Sequence, residues 1–261
     1  MSHEQTDPAD QTSCLRRDDG EDRILAALDF LRGGPEGDGP SSGQATLARQ
    51  KARLKEWAES LDFLLSPEAI LPQLKRGGQE HDVFAERERF FKVTRSGVFG
   101  LTPGIELALV PADQDARRFH LWEASPWQYL ERLRLQNLIT PGLNRLEGII
   151  IQDDDLAICI SQPRLEIVAV TQREIDSWFV SQGFQIVTTA AYYREEDNLG
   201  VFDAHDKNVV CSPIDSGTLI PFDVIPVQPD GGFLEFIRET LVRGDSVSVE
   251  RTTRTKTRAS D

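Results

Sequence analysis

The chain has 261 residues, enough for one substantial core or two small ones, but only 39% are apolar, so polar tails around a smaller folded body are expected. Its net charge of −14, from 43 acidic against 29 basic residues, disfavours nonspecific binding to nucleic acid or anionic lipid. No stretch reaches the ~18 apolar residues of a membrane span, and Met1 to Asp22 lacks the apolar run of a signal peptide, so a cytoplasmic protein without membrane contact is expected.

In chain order, residues 1–20 are acidic and poor in apolar side chains and read as a disordered tail. Ile24, Leu25, Leu28 and Leu31 recur at helical spacing over 21–32, and Gly33-Gly34-Pro35 stops that helix. A Gly/Pro/Ser linker leads to a second helix over 44–64, with Leu47, Leu54, Trp57, Leu61 and Leu64 on its apolar side. Ser66-Pro67 can open a short third helix. These helices form an extension over 21–73 that docks either on the following body or on a protein partner.

The pattern changes after Gly77-Gly78. Residues 81–85 and 89–94 read as strands joined by the charged turn Glu86-Arg87-Glu88. The stretch 95–126 reads as loop-rich. Residues 127–138 form a helix. Residues 145–152 and 156–162 form a hairpin around Asp153-Asp154-Asp155. Thr171, with Glu174 in the capping-box position, opens a helix to Gln182 that Gly183 stops. Strands are expected around 184–190, 209–211 and 219–222, a last helix over 233–242, and a basic disordered tail over 244–261. The order of elements makes the body an α+β fold.

Few groups in this chain are chemically outspoken. Cys14, Cys159 and Cys211 lack metal-ligand spacing and read as reduced thiols. His81 and His120 have no ligand cluster around them in sequence. The exception is Asp203-Ala204-His205-Asp206-Lys207-Asn208, set between the apolar pairs Val201-Phe202 and Val209-Val210. Phosphoryl transfer needs a carboxylate to orient or deprotonate the attacking hydroxyl and oxygen ligands to hold magnesium on the phosphates. A D-x-H-x-x-N loop supplies both from one turn; the competing reading is a polar β-turn with Asx bonds. Asp223 follows within the apolar run Ile220 to Ile225, where a carboxylate needs a partner or a metal. Lys92, between Phe91 and Val93 on a strand, can reach phosphates as a point charge, or else lie on an exposed strand face. Glu131 is its natural ion-pair mate; the alternative is an i,i+3 pair with Arg134.

Several runs together resemble the kinase-like domain found in polyvalent proteins of phages and mobile elements. They are Gly77-Gly78-Gln79-Glu80-His81-Asp82-Val83, Phe91-Lys92-Val93-Thr94 with Gly97-Val98-Phe99-Gly100, and Pro126-Trp127-Gln128-Tyr129-Leu130-Glu131-Arg132-Leu133. Leu135-Gln136-Asn137, Arg145-Leu146-Glu147-Gly148, Ser161-Gln162-Pro163 and the Asp203–Asn208 loop complete the resemblance, which spans about residues 74 to 227. It implies a compact, atypical protein-kinase-like body over 74–243 that uses ATP and Mg2+ to phosphorylate a hydroxyl acceptor of unknown identity. By resemblance, Gly77 and Gly78 form the glycine turn over the nucleotide, Lys92 contacts its phosphates and Glu131 positions Lys92. Ser161, Gln162, Pro163 and Arg164 form the hinge near the adenine. Asp203 is the catalytic aspartate with His205 beside it, and Asn208 and Asp223 are the magnesium ligands. The glycine turn is short, and no glycine follows Asp223, departures that leave a pseudokinase, a nucleotide-binding or interaction module without catalysis, as the alternative.

Overall fold

The computed structural model describes residues 20–33, 44–78, 80–108, 116–152, 155–165, 168–212, 218–244 and 249–251. The first elements are α1 (Gly20–Arg32), α2 (Gln44–Ser60), β1 (Leu64–Leu65), α3 (Pro67–Ile70), β2 (Lys75–Arg76), β3 (His81–Glu86) and β4 (Arg89–Thr94). Then come β5 (Leu101–Leu107), β6 (Arg117–Glu123), α4 (Pro126–Ile139), β7 (Arg145–Gln152), β8 (Asp155–Pro163) and α5 (Gln172–Ser181). The last are β9 (Gln185–Thr188), β10 (Ala191–Arg194), β11 (Leu199–Phe202), β12 (Val209–Cys211), β13 (Leu219–Pro221), β14 (Ile225–Val227), α6 (Gly231–Arg243) and β15 (Val249–Arg251). The architecture is α+β, as expected.

The described residues fall into two compact units. Unit 1 takes in the chain up to Phe99 with Ser125–Asn137 and Gly142–Arg164; unit 2 takes in Gly100–Ala124, Leu138–Pro141 and everything from Leu165 on.

Unit 1 is built on a six-stranded sheet in the order β1-β7-β8-β4-β3-β2, antiparallel except where β1 joins β7 in parallel. On α1, Ile24, Ala27, Leu28 and Leu31 recur at i, i+3, i+4 and i+7, and all four are buried. They pack with Leu54, Trp57 and Ala58 of α2, Leu130 and Leu133 of α4, and Leu146, Ile158 and Ile160 of the sheet. Burying side chains of this size is worth about 1.5–3 kcal/mol each. The N-terminal helices thus supply core to unit 1. A second cluster holds Phe84, Phe91, Val93, Ile150, Ala157 and Cys159 with Ile70. Complete burial pushes the Cys159 thiol far above its ordinary range, which makes it unreactive. Cys211 is half-buried, and Cys14 lies outside the described residues.

Unit 2 holds a four-stranded sheet, β14-β11-β10-β9, a two-stranded ribbon of β12 and β13, and a three-stranded sheet, β15-β6-β5. Its core joins Phe119, Leu121, Val187, Ala191, Tyr193, Phe202 and Ile225 with Phe236 and Ile237 of α6. The Thr171–Glu174 capping box at the start of α5 is formed in both directions.

Four expectations are corrected. The stretch 95–126 is not loop-rich: β5 and β6 pair in register from Leu101↔Glu123 to Leu107↔Arg117. Pro103 and Gly104 obscure β5, yet Gly104 packs where a Cβ would press on the Trp122 ring. The second helix ends at Ser60 rather than 64, because Leu64 and Leu65 pair with Ile149 and Ile150. Gly244 caps α6 in a left-handed conformation, Val249–Arg251 runs parallel to Phe119–Leu121, and the rest of the expected basic tail lies outside the described residues. Strands β10 and β14 were not expected at all. The proposed tail over 1–20 lies outside the described residues except for Gly20, which begins α1.

Candidate functional site

In unit 2 the acidic loop grows out of β11, whose Phe202 is buried in the core. The next residue, Asp203, has φ 60°, a left-handed conformation that aspartate tolerates better than most side chains. That reversal turns the chain so that the loop closes on itself. The His205 N–H donates to the Asp203 carbonyl at 3.1 Å. Asn208 Nδ2 donates to the Asp203 carbonyl and to its Oδ2, each at 2.8 Å. The N–H groups of Asn208 and Val209 donate to the His205 carbonyl at 2.9 and 3.1 Å. The ring of His205 accepts from the Lys207 N–H at Nδ1 and sets Nε2 3.5 Å from Asp203 Oδ1. With Nδ1 an acceptor, the neutral ring carries its proton on Nε2 and turns it toward Asp203. The Asp203 side chain keeps 16% of its surface open, enough for a substrate group to reach it.

The same loop holds Asp223 through its backbone. The Asn208 carbonyl accepts from the N–H of Phe222 at 3.0 Å and from that of Asp223 at 3.3 Å. Strands β12 and β13 enforce this contact, because Val209 pairs with Pro221 on the very next rung. Unit 2 therefore brings Asp203, His205, Asn208 and Asp223 together across about twenty residues of sequence. Both Nδ2 hydrogens of Asn208 are committed to Asp203, so Oδ1 is the atom this amide can present to a ligand. Asn208 and Asp223 carry oxygen donors, the ligand type magnesium takes, on two turns joined backbone to backbone. Among the described residues no group of three or more His, Cys, Asp or Glu could hold a metal by itself.

In unit 1, Lys92 lies in the middle of β4 between Val83 and Ile160. Paired residues share a face of the sheet, and Ile160 packs on Tyr129, Leu130 and Leu133, so Lys92 leaves the sheet on the α4 side. Glu131 is on α4, and its i,i+3 pair is formed: Arg134 clasps its carboxylate through Nε at 2.8 Å and a terminal nitrogen at 2.6 Å. The fork matches the carboxylate, and one helix turn fixes both ends at little entropic cost. The hydrogen bonds that Arg134 donates to Glu131 raise its pKa above the ordinary value.

The other unit 1 candidates have structural employment. A Cβ on Gly77 would collide with the His81 carbonyl, so glycine is needed there for β2 to approach β3; Gly78 faces open space. Glu80 accepts from Arg132 Nη1 at 2.8 Å, and His81 Nε2 meets the Tyr129 hydroxyl at 2.8 Å, which ties the glycine turn to α4. Ser161, Gln162 and Pro163 are the last rungs of β8. Ser161 Oγ donates to Glu147 and accepts from Arg89 Nε at 2.7 Å. Gln162 Nε2 donates to Asn144 Oδ1 at 2.8 Å, and Asn144 Nδ2 donates to Gln136 Oε1 at 3.0 Å, all three buried. Arg164 is exposed, with its guanidinium 6.0 Å from the Phe90 ring centre, and is the last residue of unit 1 before the chain enters unit 2.

Sequence reasoning missed the group that anchors the loop. Gln172 Nε2, at the start of α5, donates to the Ala204 carbonyl at 3.3 Å and to the Tyr192 hydroxyl at 2.9 Å. Tyr192 in turn donates to Asp176 Oδ1 at 2.6 Å. The only signal was the capping box next to Gln172.

The D-x-H-x-x-N loop of unit 2, bonded to a second Asp, holds the residue types that phosphoryl transfer uses. Residues 116–223 match the family model described as serine/threonine/tyrosine kinase found in polyvalent proteins, the family its motifs resemble. Neither a curated protein nor a solved structure matches the chain.

Proposed function

We propose that this protein transfers the terminal phosphoryl group of ATP, with Mg2+, to a hydroxyl acceptor. The observation that carries the reading is the joint hold of Asn208 on Asp203, through its amide, and on Asp223, through its carbonyl. In this reading Asp203 receives the proton of the acceptor hydroxyl as its oxygen bonds to phosphorus and the bond to ADP breaks. His205 keeps the Asp203 carboxylate oriented. Asn208 and Asp223 hold the magnesium, which when bound neutralises charge on the phosphates. By the resemblance, Lys92 serves the phosphates as a point charge, and Ser161, Gln162, Pro163 and Arg164 serve the adenine.

A pseudokinase is the second reading, and Glu131 favours it, since Arg134 already occupies the carboxylate that would orient Lys92. Calorimetry with ATP and magnesium, beside ATP consumption over a panel of hydroxyl acceptors, separates the two. Consumption that depends on an acceptor and is lost in Asp203→Asn supports the phosphotransferase; tight binding without consumption supports the pseudokinase.

A further inference from the structure

Unit 2 contains a pocket of about 320 Å³ between α5, β9 and the end of α6. Gln172, Asp176, Thr188, Thr189 and Thr240 line it, with Leu241 among its apolar walls. Asp203, Asn208 and Asp223 are not among its lining residues. Thr188 is 96% buried, and its hydroxyl finds no hydrogen-bond partner. Burying a hydroxyl unpaired is costly, and a site that keeps one is poised for a group supplied from outside. Asp176 uses Oδ1 for Tyr192 and Gln172, which orients the carboxylate and leaves Oδ2 to face a ligand. Among the described residues no lysine, arginine or histidine lines the pocket. Its chemistry therefore selects against anions and for a group that can donate to a carboxylate while exchanging hydrogen bonds with threonine hydroxyls.

We propose that this pocket is a binding site for a small ammonium compound bearing hydroxyl groups. The ammonium pairs with Asp176, and a hydroxyl satisfies Thr188. The site is joined to the acidic loop through Gln172, which bonds Asp176 on one side and the Ala204 carbonyl on the other. Occupancy can thus be felt at the residue following Asp203, whether or not the protein transfers phosphate.

The full chain is titrated with 2-amino-1,3-propanediol, with glycerol as the uncharged counterpart, and with inorganic phosphate, following affinity by calorimetry and location by backbone NMR. The amino diol is expected to bind at least about tenfold tighter than glycerol, because a charge-assisted bond replaces a neutral one. Phosphate is expected not to bind, and the shifted signals are expected to centre on Thr188, Thr189 and Thr240. Asp176→Asn keeps an acceptor for Tyr192 and is expected to bring the amino diol to glycerol's affinity. Thr188→Val, close to isosteric, is expected to weaken the amino diol about fivefold or more while leaving the ligand-free melting temperature unchanged or higher, since no bond is lost. Equal affinity for glycerol and the amino diol overturns the proposal. So do signals that move elsewhere, or a Thr188→Val variant that loses stability and keeps its affinity.

Discussion

Asn208 grips Asp203 at two points: one amide nitrogen donates to both the backbone carbonyl and the side-chain carboxylate, at 2.8 Å each. One side chain thereby fixes the left-handed turn at Asp203 and the direction of its carboxylate. Asn208→Ala is expected to cost about 2 kcal/mol of stability, the sum of one neutral hydrogen bond and one to a charged acceptor. Urea denaturation of parent and variant measures it. A loss below about 0.5 kcal/mol would mean that the loop is held by something else.

Asp203→Asn retains the left-handed turn, which asparagine also tolerates, but removes the base. The expected result is a strong fall in turnover with ATP affinity nearly unchanged, the signature of a group used only in the transition state. His205→Ala is expected to lower both stability and turnover, because the ring ties the Lys207 N–H to Asp203. Parallel calorimetry and ATP-consumption assays distinguish the two variants.

Asn144 is wholly buried and bonds Gln136, Gln162 and the side chain of Asn137. Asn144→Ala removes one hydrogen-bond partner from each of two buried amides, so a loss of about 2 kcal/mol is expected. Gln162 is then loosened at the end of β8. Thermal unfolding of the variant tests this, and a change in melting temperature of under a degree or so would contradict it.

Acid sensitivity follows from two aspartates. Partial burial alone would raise the Asp155 carboxyl, but the Lys51 ammonium at 2.7 Å and the Leu156 N–H bring it below its ordinary 3.8. The Arg194 hydrogen bond does the same for Asp197. A folded pKa below the unfolded one contributes stability that is complete above the unfolded value and is lost as pH falls through the folded value. Lys51→Met and Arg194→Met are therefore expected to be less stable than the parent at pH 7 and to converge with it as the pH falls below the ordinary aspartate value of 3.8 and through the lowered folded values. A stability difference that persists unchanged to about pH 2 would assign the loss to packing.

Much of the fold was legible because its signals are local. The 3.6-residue stripe on α1, the Thr171–Glu174 box and the charged turn between β3 and β4 each declare themselves within a few residues. Strands β5, β10 and β14 did not. Pro103-Gly104 interrupts the first, Tyr192-Tyr193-Arg194 runs into an acidic turn, and Ile225–Val227 is only three residues long with a proline in the middle. Those strands exist because tertiary pairing overrides weak propensity. In the candidate site, the spacing of Asp203, His205 and Asn208 was readable as one loop, whereas the hold of Asn208 on Asp223 needed the β12–β13 pairing. The pairing of Glu131 with Arg134 was readable from the i,i+3 spacing alone.

In the proposed function Asn208 and Asp223 hold the magnesium of a bound nucleotide. Calorimetric titration of ATP, with and without magnesium, into the full-length parent and Asp223→Ala tests it most directly. Saturable binding by the parent only when magnesium is present, lost in a variant that still unfolds cooperatively, is the predicted result. Equal binding by the two proteins, or no binding by the parent, would contradict the account.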